Sequence, residues 1–348
     1  MRRADVVVVG AGVMGSATAW RLSRSGRSVI LLERFEVGHD RGSSHGSARV
    51  FRFSYDEPEY VAMAMEALPL WRALEDASGE ELLAVTGGFD LGSDERLKRH
   101  MEALDAWGAV WDLLPGREVA ARFPSVRPPP DATLLFQPDA GVLAADRAVR
   151  AMVTVARALG TELHERTTVT ELRPRDGHVE VVTRRETFAG DVAVVTAGSW
   201  APPLLATAGL DLPVTPSRET VAYFESIGAH RFPVFVEWVD GRGPLYALPV
   251  PGGGLKTGWH HTGPATDPDR RGGPDSGVTA RMAAWVDERF PGARPAPHHA
   301  ETCMYTNTSD ERFIIDRRGR VVVGSPCSGH GFKFAPLIGE RLARLATA

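Results

Sequence analysis

The sequence predicts a mixed α/β protein of two domains, and three observations lead to this prediction. Its 348 residues exceed the length at which a single hydrophobic core usually stops growing. A short β-branched run, Asp5–Val9, leads through a glycine-rich turn into a predicted helix, Gly12–Ser25, which is typical of a parallel βαβ unit. Between Val85 and Pro138 the pattern changes to short strands and prolines, which indicates an inserted segment of another domain.

Predicted strands and helices also occur along the rest of the chain. We predict strands over 28–32, 168–172, 178–183, 191–196 and 320–324, and helices over 59–75, 95–107, 144–159, 277–289 and 336–345. Pro69 falls inside the first of these helices, so we expect a kink or a break there. The nucleotide-binding domain is predicted to comprise 1–84, 139–212 and 293–348, and the sheet-rich substrate domain 85–138 and 213–292. Both domains are therefore expected to be discontinuous in sequence.

Composition and charge exclude several classes of protein. The net charge is −4 and only two cysteines are present, so neither a nucleic-acid partner nor a disulfide framework is expected. No apolar stretch approaches the roughly 20 residues that span a bilayer, and the first strand runs directly into a glycine loop instead of a signal-peptide cleavage site. We therefore expect a cytoplasmic protein with no membrane partner. Only Lys98, Lys256 and Lys333 among the 40 basic residues are lysine, which makes each lysine informative.

The run Gly10-Ala11-Gly12-Val13-Met14-Gly15 has the form of a dinucleotide-binding loop. Gly10 permits the tight turn, Gly12 lets the backbone approach a pyrophosphate, and Gly15 lets helix and strand pack closely. The N–H groups at the helix N-terminus then face the phosphates. Glu33 lies at the end of the second strand, where its carboxylate can accept hydrogen bonds from ribose hydroxyls. A glycine-rich packing turn is the structural alternative, and Glu33 followed by Arg34 leaves FAD and NAD both open.

Three further segments bear on the choice between FAD and NAD. They are 42–55 (GSSHGSARVFRFSY), 252–260 (GGGLKTGWH), and a C-terminal set that combines CMYT at 303–306, DERFIID at 310–316 and SGHGFK at 328–333. In these segments the sequence resembles the monomeric sarcosine oxidase and N-methyltryptophan oxidase family. The resemblance implies a nucleotide domain of the glutathione-reductase type, a covalently bound FAD and a monomeric enzyme. It also implies oxidation of a small secondary amino acid by O2, with release of hydrogen peroxide.

The resemblance also implies roles for individual residues. Cys303 would form a thioether to the 8α-methyl group of the flavin, and a thiolate is the nucleophile that such a bond requires. Lys256 would lie beside the flavin ring, where a buried ammonium stabilises negative charge on oxygen as it is reduced. Arg52 and Lys333 would bind the substrate carboxylate. For Cys303 the alternative is a small buried side chain, which is also our interpretation of Cys327.

Other residues are assigned by the same resemblance. His260 and Tyr305 are expected in the catalytic pocket, Arg49 is expected near the flavin ring, and Tyr55 and Tyr246 are expected to line the substrate site. The remaining predicted cofactor contacts are Glu33, Arg34, Ser43, His45, Val169, Ala197, Gly198, Trp200, Gly329, His330 and Gly331, together with Lys333 and the nucleotide loop. No metal ion is expected.

Several alternatives remain open at this level. N-methyl amino acids such as sarcosine are the first candidates for the substrate, and cyclic imino acids such as proline or pipecolate, including those of biosynthetic tailoring reactions, come next. The stretch Phe235–Tyr246 does not match the family pattern, which leaves the substrate open. Rival classes are an NAD-dependent dehydrogenase, a flavin dehydrogenase that passes electrons to a protein partner, and a non-catalytic nucleotide-binding module.

Overall fold

The computed structural model describes residues 1–225, 232–239, 241–270 and 272–348. Residue 240, within the unmatched stretch Phe235–Tyr246, lies outside the described residues, as do 226–231 and 271. The described strands are, in chain order, β1 (Arg2–Val9), β2 (Val29–Leu32), β3 (Arg49–Phe51), β4 (Leu83–Val85), β5 (Gly88–Leu91), β6 (Asp112–Pro115), β7 (Thr133–Gln137), β8 (Gly141–Leu143), β9 (Glu162–His164), β10 (Val169–Arg175), β11 (His178–Thr183), β12 (Thr187–Val195), β13 (Thr215–Phe224), β14 (Val234–Glu237), β15 (Leu245–Pro249), β16 (Leu255–Trp259), β17 (His299–Asn307), β18 (Ile314–Arg318) and β19 (Val321–Ser325).

The helices confirm the predicted elements, with one exception concerning a proline. The described helices are α1 (Val13–Arg24), α2 (Pro58–Ser78), α3 (Asp94–Asp105), α4 (Gly116–Arg122), α5 (Ala145–Ala158), α6 (Ala201–Ala206), α7 (Ser276–Arg289) and α8 (Ala335–Thr347). Helix α2 continues through Pro69, so of the kink or break expected there, the break is wrong and the kink stays a prediction. Proline removes one hydrogen bond of the helix, but the buried face of α2, which includes Trp71, packs against α5 and α8. We infer that this packing offsets the lost bond.

The first sheet is built around β1. It pairs in parallel with β2 on one side and with β12 on the other, and β9 extends the sheet beyond β2. The C-terminal part of β12 pairs in parallel with β19, whereas its N-terminal part pairs with the antiparallel ribbon of β10 and β11. The carboxyl ends of the parallel strands therefore share one edge, where sheets of this kind bind their ligands.

Alternate residues of β1 face two different cores. Val6 and Val8 pack in the core that contains α1, α5 and α8, whereas Val7 and Val9 pack in the core that contains α6 and β11. The alternation follows from the two-residue period of a strand. Helix α8 approaches α1 at Gly339, where a Cβ atom would lie 2.7 Å from the Cβ of Ala17. A glycine is therefore required for this close packing.

The second sheet collects strands from distant parts of the chain. Its order is β17, β13, β16, β15, β14, β5, β7, β6, and only the pair β14 and β5 is parallel. One face packs on α7 through Met282 and Trp285. A small sheet of β3, β8 and β4 completes the described strand pairings.

The second sheet contains strands of both segments that were assigned to the substrate domain. Strand β17 is the exception, because it pairs along its whole length with β13 although 293–348 had been assigned to the nucleotide domain. We therefore propose that the last domain boundary follows β17 at Asn307 instead of preceding it. In the described parts of the chain, no helix has the length and apolar character needed to cross a membrane.

Candidate active site

A cavity of about 1260 Å³ lies between the carboxyl edge of the first sheet and one face of the second. The ends of β1, β2, β12 and β19 line one side, and β14, β15, β16 and β17 line the other. Every predicted site residue except Gly15 lines this cavity. Residues of both sheets thus line the same cavity.

The glycine loop forms the floor of the cavity at the end of β1. Gly10 has a φ of +97°, and a Cβ there would lie 2.7 Å from the carbonyl oxygen of Thr196. Gly15 lies behind the loop in the first turn of α1, where a Cβ would lie 1.8 Å from the carbonyl oxygen of Gly10. The N–H of Val13 donates to Oγ of Ser44 at 3.0 Å, a contact that the sequence analysis did not anticipate. The loop thus brings backbone N–H groups to the cavity wall.

Glu33 is fixed at the end of β2. Its two carboxylate oxygens accept hydrogen bonds from the N–H groups of Ala11 at 2.7 Å and Phe35 at 2.8 Å. Burial raises the pKa of Glu33, but hydrogen bonds from His39 and Phe35 outweigh it and lower the pKa below its usual value. The carboxylate is therefore ionised and aligned at the place predicted for a ribose-binding acid.

Arg34 and Trp200 close the nucleotide end of the cavity. The Arg34 guanidinium lies 5.1 Å from the ring centre of Phe35 and 5.5 Å from that of Trp200, and it pairs with Asp269 at 2.9 Å. The indole N–H of Trp200 donates to the same carboxylate at 2.9 Å. Val169, Ala197 and Gly198 line the cavity as well. Sequence analysis missed Asp269, because it lies in a polar loop without any motif.

Cys303 lies on β17 beside a buried guanidinium. Its Sγ is 3.7 Å from Nη2 of Arg49, and that nitrogen donates to the carbonyl oxygens of Ser43 at 2.9 Å and His45 at 2.7 Å. Burial raises the pKa of the thiol, but the charge of Arg49 and the interaction with His45 outweigh it and lower the pKa to about 7. A substantial fraction of Cys303 is therefore thiolate at neutral pH.

Cys327 has a different environment. Its Sγ accepts a hydrogen bond from the N–H of Thr306 at 3.3 Å, and burial raises the pKa of its thiol. This cysteine is consequently a poor nucleophile. The two thiols thus differ in their pKa, which is lowered for Cys303 and raised for Cys327.

Lys256 extends from β16 towards the same cluster. Its buried ammonium has one long hydrogen bond, 3.4 Å to the carbonyl oxygen of Ala48, and lies 5.4 Å from the ring centre of Tyr223. A Cβ at Gly46 would be 3.2 Å from Nζ of Lys256 and 3.3 Å from Nη1 of Arg49, so glycine leaves room where the two cations converge. Burial and the charge of Arg49 lower the pKa of Lys256 to about 7.

Tyr223 and Glu301 form a pair that sequence analysis missed. On the second sheet, Tyr223 of β13 lies directly opposite Lys256 on one side and opposite His299 on the other. The Tyr223 hydroxyl donates to Oε1 of Glu301 at 2.6 Å, and Oε2 of Glu301 is 4.0 Å from Nδ1 of His45. Glu301 therefore places a negative charge behind Lys256. Only the strand register reveals this, because the two residues are far apart in sequence.

Lys333 lies at the opposite end of the site. Its buried ammonium donates to the Tyr55 hydroxyl at 2.7 Å and to the His330 carbonyl oxygen at 2.8 Å. Burial, and then the charge of Arg52, lower the pKa of Lys333 well below its usual value. Within the described residues, Lys333 makes no ion pair with a carboxylate. An anionic ligand would supply the missing charge.

Arg52 lies beside Lys333 between two aromatic rings. Its guanidinium is 4.8 Å from the ring centre of Tyr55 and 5.3 Å from that of Trp238. Asp90 is 3.7 Å from Nη1 of Arg52, but the oxygens of Asp90 already accept hydrogen bonds from Ser54 and the Trp238 indole. This end of the cavity thus combines two cations with apolar walls. Trp238 comes from the stretch that did not match the family pattern.

His260 and Tyr305 stand between these two groups of cations. Nδ1 of His260 is 3.2 Å from the Tyr305 hydroxyl. Gly329 has a φ of +78°, and a Cβ there would lie 2.3 Å from Tyr305 and 2.4 Å from His260. Gly329 therefore packs directly against both rings. Tyr246 also lines the cavity.

These features fit FAD better than a simple packing core. The glycine loop approaches Thr196 too closely for any side chain, an ionised acid follows β2, and a reactive thiol faces the same cavity. Nε2 of His45 is buried there without a hydrogen-bond partner in the described part of the chain. The fold and the site define a dinucleotide-binding oxidoreductase.

Comparison with known proteins identifies the class. A model of the FAD-dependent oxidoreductase family matches residues 5–345, and the chain belongs to that family. This result selects FAD over NAD, the alternative that the glycine loop had left open. FAD as the cofactor is thereby confirmed, whereas its covalent attachment stays a prediction.

Relatives and solved structures agree with this assignment. The chain is 35% identical to the monomeric sarcosine oxidase of Bacillus sp. (strain B-0618), over 98% of this chain and 92% of that protein. It is also 35% identical to the peroxisomal sarcosine oxidase of Homo sapiens, with the same coverage of both chains. Among solved structures it is similar to NikD, described as an unusual amino acid oxidase essential for nikkomycin biosynthesis, with a TM-score of 0.89, 27% identity and coverage of 99% and 94%. The resemblance to the sarcosine oxidases found in the motifs is confirmed.

Proposed function

We propose that this protein oxidises the C–N bond of a small secondary amino acid, N-methyl or cyclic, to an imine, and reduces O2 to hydrogen peroxide. In the overall reaction the substrate loses two electrons and two protons. O2 takes up these two electrons and two protons and becomes hydrogen peroxide. When bound, FAD accepts the two electrons from the substrate and passes them to oxygen. The similarity to sarcosine oxidases supports the substrate class.

The arrangement of charged residues in the cavity is the main support for this proposal. Two groups of interacting residues line one cavity: Arg52 with Lys333, and Lys256 with Arg49 and Cys303. The first pair suits a substrate carboxylate, because Arg offers a planar fork and Lys a point charge. In the second group, Cys303 suits a covalent bond to the cofactor. The cations Lys256 and Arg49 suit the negative charge that develops on oxygen as it is reduced.

The chain's own residues would orient the substrate. Lys333 and Arg52 bind the carboxylate, and the rings of Tyr55 and Trp238 exclude water from that contact. His260 and Tyr305 then face the amine and position the reacting carbon.

Lys256 would act on oxygen. Its ammonium, held near Arg49, offers fixed positive charge in a poorly solvated place, where an interaction with developing negative charge is stronger than in water. Glu301, behind Tyr223, helps to keep this ammonium protonated. Glu301 is therefore a positioning residue, because it acts on oxygen only through the charge of Lys256.

Cys303 would hold the cofactor covalently. Its lowered pKa makes the thiolate available, and the neighbouring guanidinium of Arg49 stabilises that charge. The predicted contacts of Gly10, Gly12, Glu33 and the other cavity residues with FAD belong to the same proposal. The expectations of a monomer in the cytoplasm, without nucleic-acid or membrane partners, remain predictions.

A tailoring oxidation of a cyclic imino acid is the second candidate. The similarity to NikD, at a TM-score of 0.89, favours it. Trp238 and Tyr246, from the stretch that departs from the family pattern, contribute aromatic walls against which an apolar ring can pack.

Oxygen uptake measured against a substrate panel tests the proposal. The chain, supplied with FAD, is mixed under air with sarcosine, other N-methyl amino acids, proline and pipecolate. We expect at least one substrate to yield one H2O2 for each O2 consumed. Reduction of an artificial dye without oxygen uptake would instead identify a dehydrogenase that serves a protein partner.

A further inference from the structure

Three side chains converge at one wall of the cavity, and the proposed oxidase chemistry uses only one of them, His260. His260 and His261 lie at the end of β16 and just beyond it, and Glu311 lies in the loop before β18. One ligand atom from each side chain lies within 4.8 Å of the other two. The two imidazole ring centres are 4.0 Å apart, and Nε2 of His261 is 3.4 Å from Oε1 of Glu311.

The backbone at this cluster is strained in a specific pattern. His261 has a φ of +56° and Glu311 a φ of +60°, conformations that side-chain-bearing residues seldom adopt. The two strained residues are those whose side chains meet. Because such strain persists only where surrounding structure enforces it, and is concentrated at ligand sites, the fold holds this imidazole and this carboxylate towards each other.

The imidazole of His261 lacks a hydrogen bond that would explain its position. Its Nε2 is buried and has no hydrogen-bond partner in the parts of the chain that the structure describes. At 3.4 Å, the Glu311 carboxylate is an ionic neighbour, beyond ordinary hydrogen-bond length. The group nearest to this nitrogen is therefore a carboxylate at a separation that an ion between the two could bridge.

One edge of the cluster fits a tetrahedral metal ion. Ligands about 2.0–2.1 Å from Zn²⁺ are separated from each other by about 3.4 Å along a tetrahedral edge, which equals the separation of His261 and Glu311. Nδ1 of His260 is already 3.2 Å from the Tyr305 hydroxyl, so Nε2 remains for the ion. A metal-binding histidine usually has its other ring nitrogen fixed in this way.

We propose that His260, His261 and Glu311 bind a divalent transition metal ion, with Zn²⁺ as the best match, in the wall of the cavity. Two imidazoles and one carboxylate form a ligand set that Zn²⁺ prefers, and the partly exposed third ligand leaves a fourth position for water. Because His260 also faces the proposed substrate position, a bound ion would obstruct the substrate amine. The site is thus inhibitory and takes no part in the redox reaction.

Direct binding measurements test this site without reference to oxidase activity. The full chain with FAD and no affinity tag is treated with chelator, dialysed and titrated with ZnCl2 by calorimetry. We expect saturation at one Zn²⁺ per chain, and little binding of Mg²⁺, which prefers oxygen ligands. His261→Gln and Glu311→Gln should each weaken Zn²⁺ binding by about tenfold or more, as the loss of a ligand does more damage than the loss of a partner behind it.

His178→Gln is the matched control. His178 is also paired with a carboxylate, Glu180 at 3.9 Å, but it lies on β11 outside the cavity. This variant should bind Zn²⁺ as the unchanged chain does, and thermal melting confirms that all three variants are folded. Zn²⁺ affinity that is equal in the unchanged chain, His261→Gln and Glu311→Gln would overturn the proposal, as would the absence of saturable binding at micromolar Zn²⁺. Neither result depends on whether the chain oxidises an amino acid.

Discussion

Replacing Lys256 by Met should separate the reaction with oxygen from the reaction with substrate. The side chain is buried against Ala48 and Tyr223, so Met preserves most of its volume while it removes the charge. If the ammonium stabilises negative charge on oxygen, only the oxidative half-reaction depends on it. Substrate oxidation, which uses the cations at the other end of the cavity, should change little.

The magnitude follows from the burial of the charge. Two opposite unit charges about 4 Å apart contribute about 4 kcal/mol at an effective dielectric constant of about 20. Each 1.4 kcal/mol corresponds to about a tenfold change in rate, so Lys256→Met should slow the reaction with O2 by about 10³-fold. Because burial and Arg49 lower the pKa of Lys256 to about 7, the ammonium is mostly present below pH 7 and is lost as the pH rises through this value. The O2 reaction of the unchanged chain should therefore slow above pH 7, and that of Lys256→Met should not.

Stopped-flow absorbance measures the two half-reactions separately. The protein is first reduced by substrate without air, then mixed with oxygenated buffer at several pH values. Lys98→Met is the control, because Lys98 is 71% exposed and paired with Glu102 on the protein surface. Equal slowing of both half-reactions, or an unchanged O2 reaction in Lys256→Met, would refute the role assigned to this ammonium.

Three further substitutions test other parts of the site. Cys303→Ser should release FAD when the protein is precipitated with acid, because the thiolate that would form the covalent bond is gone. Lys333→Met should raise the KM for an amino-acid substrate by about 10- to 100-fold, since a hydrogen bond to a charged group contributes about 1.5–3 kcal/mol. Glu301→Gln should lower the pKa of Lys256, because the negative charge of Glu301 raises it, and the fall in the O2 reaction should then move to lower pH.

Each substitution has a matched control. Cys327→Ser should keep the flavin in the acid precipitate, and a flavin that stays with Cys303→Ser would contradict the bond. For Lys333→Met the control is Lys98→Met, and an unchanged KM would remove Lys333 from the substrate site. Glu301→Asp retains the charge and should restore the original pH profile, whereas an unshifted profile in Glu301→Gln would contradict its influence on Lys256.

Local patterns predicted the nucleotide half of the fold well. The βαβ unit at the N-terminus, the helices near 145–158 and 335–347, and the strand Val321–Ser325 all follow from periodicity and glycine stops. Of the kink or break expected at Pro69, the break does not occur, because packing of α2 overrides a local rule. Propensity and proline effects are small compared with the burial of a helical face.

Pairing between distant segments could not be read from the sequence. The parallel contact of β5 with β14 and the place of β17 beside β13 depend on register between strands separated by about 80 residues or more. For the same reason the motifs led to Lys256 and Cys303 but not to Tyr223 and Glu301, which acquire their role only from cross-strand contact. His261 and Glu311 likewise meet only in the folded chain.

Anaerobic absorbance measurements test the central claim most directly. The purified chain, saturated with FAD, is mixed without oxygen with N-methyl and cyclic amino acids, and its visible absorbance is followed. We predict that at least one of these compounds bleaches the band, and that air restores the band with release of hydrogen peroxide. A yellow protein that none of them bleaches would contradict the proposed substrate class, and a protein that does not acquire a visible band with FAD would contradict the whole account.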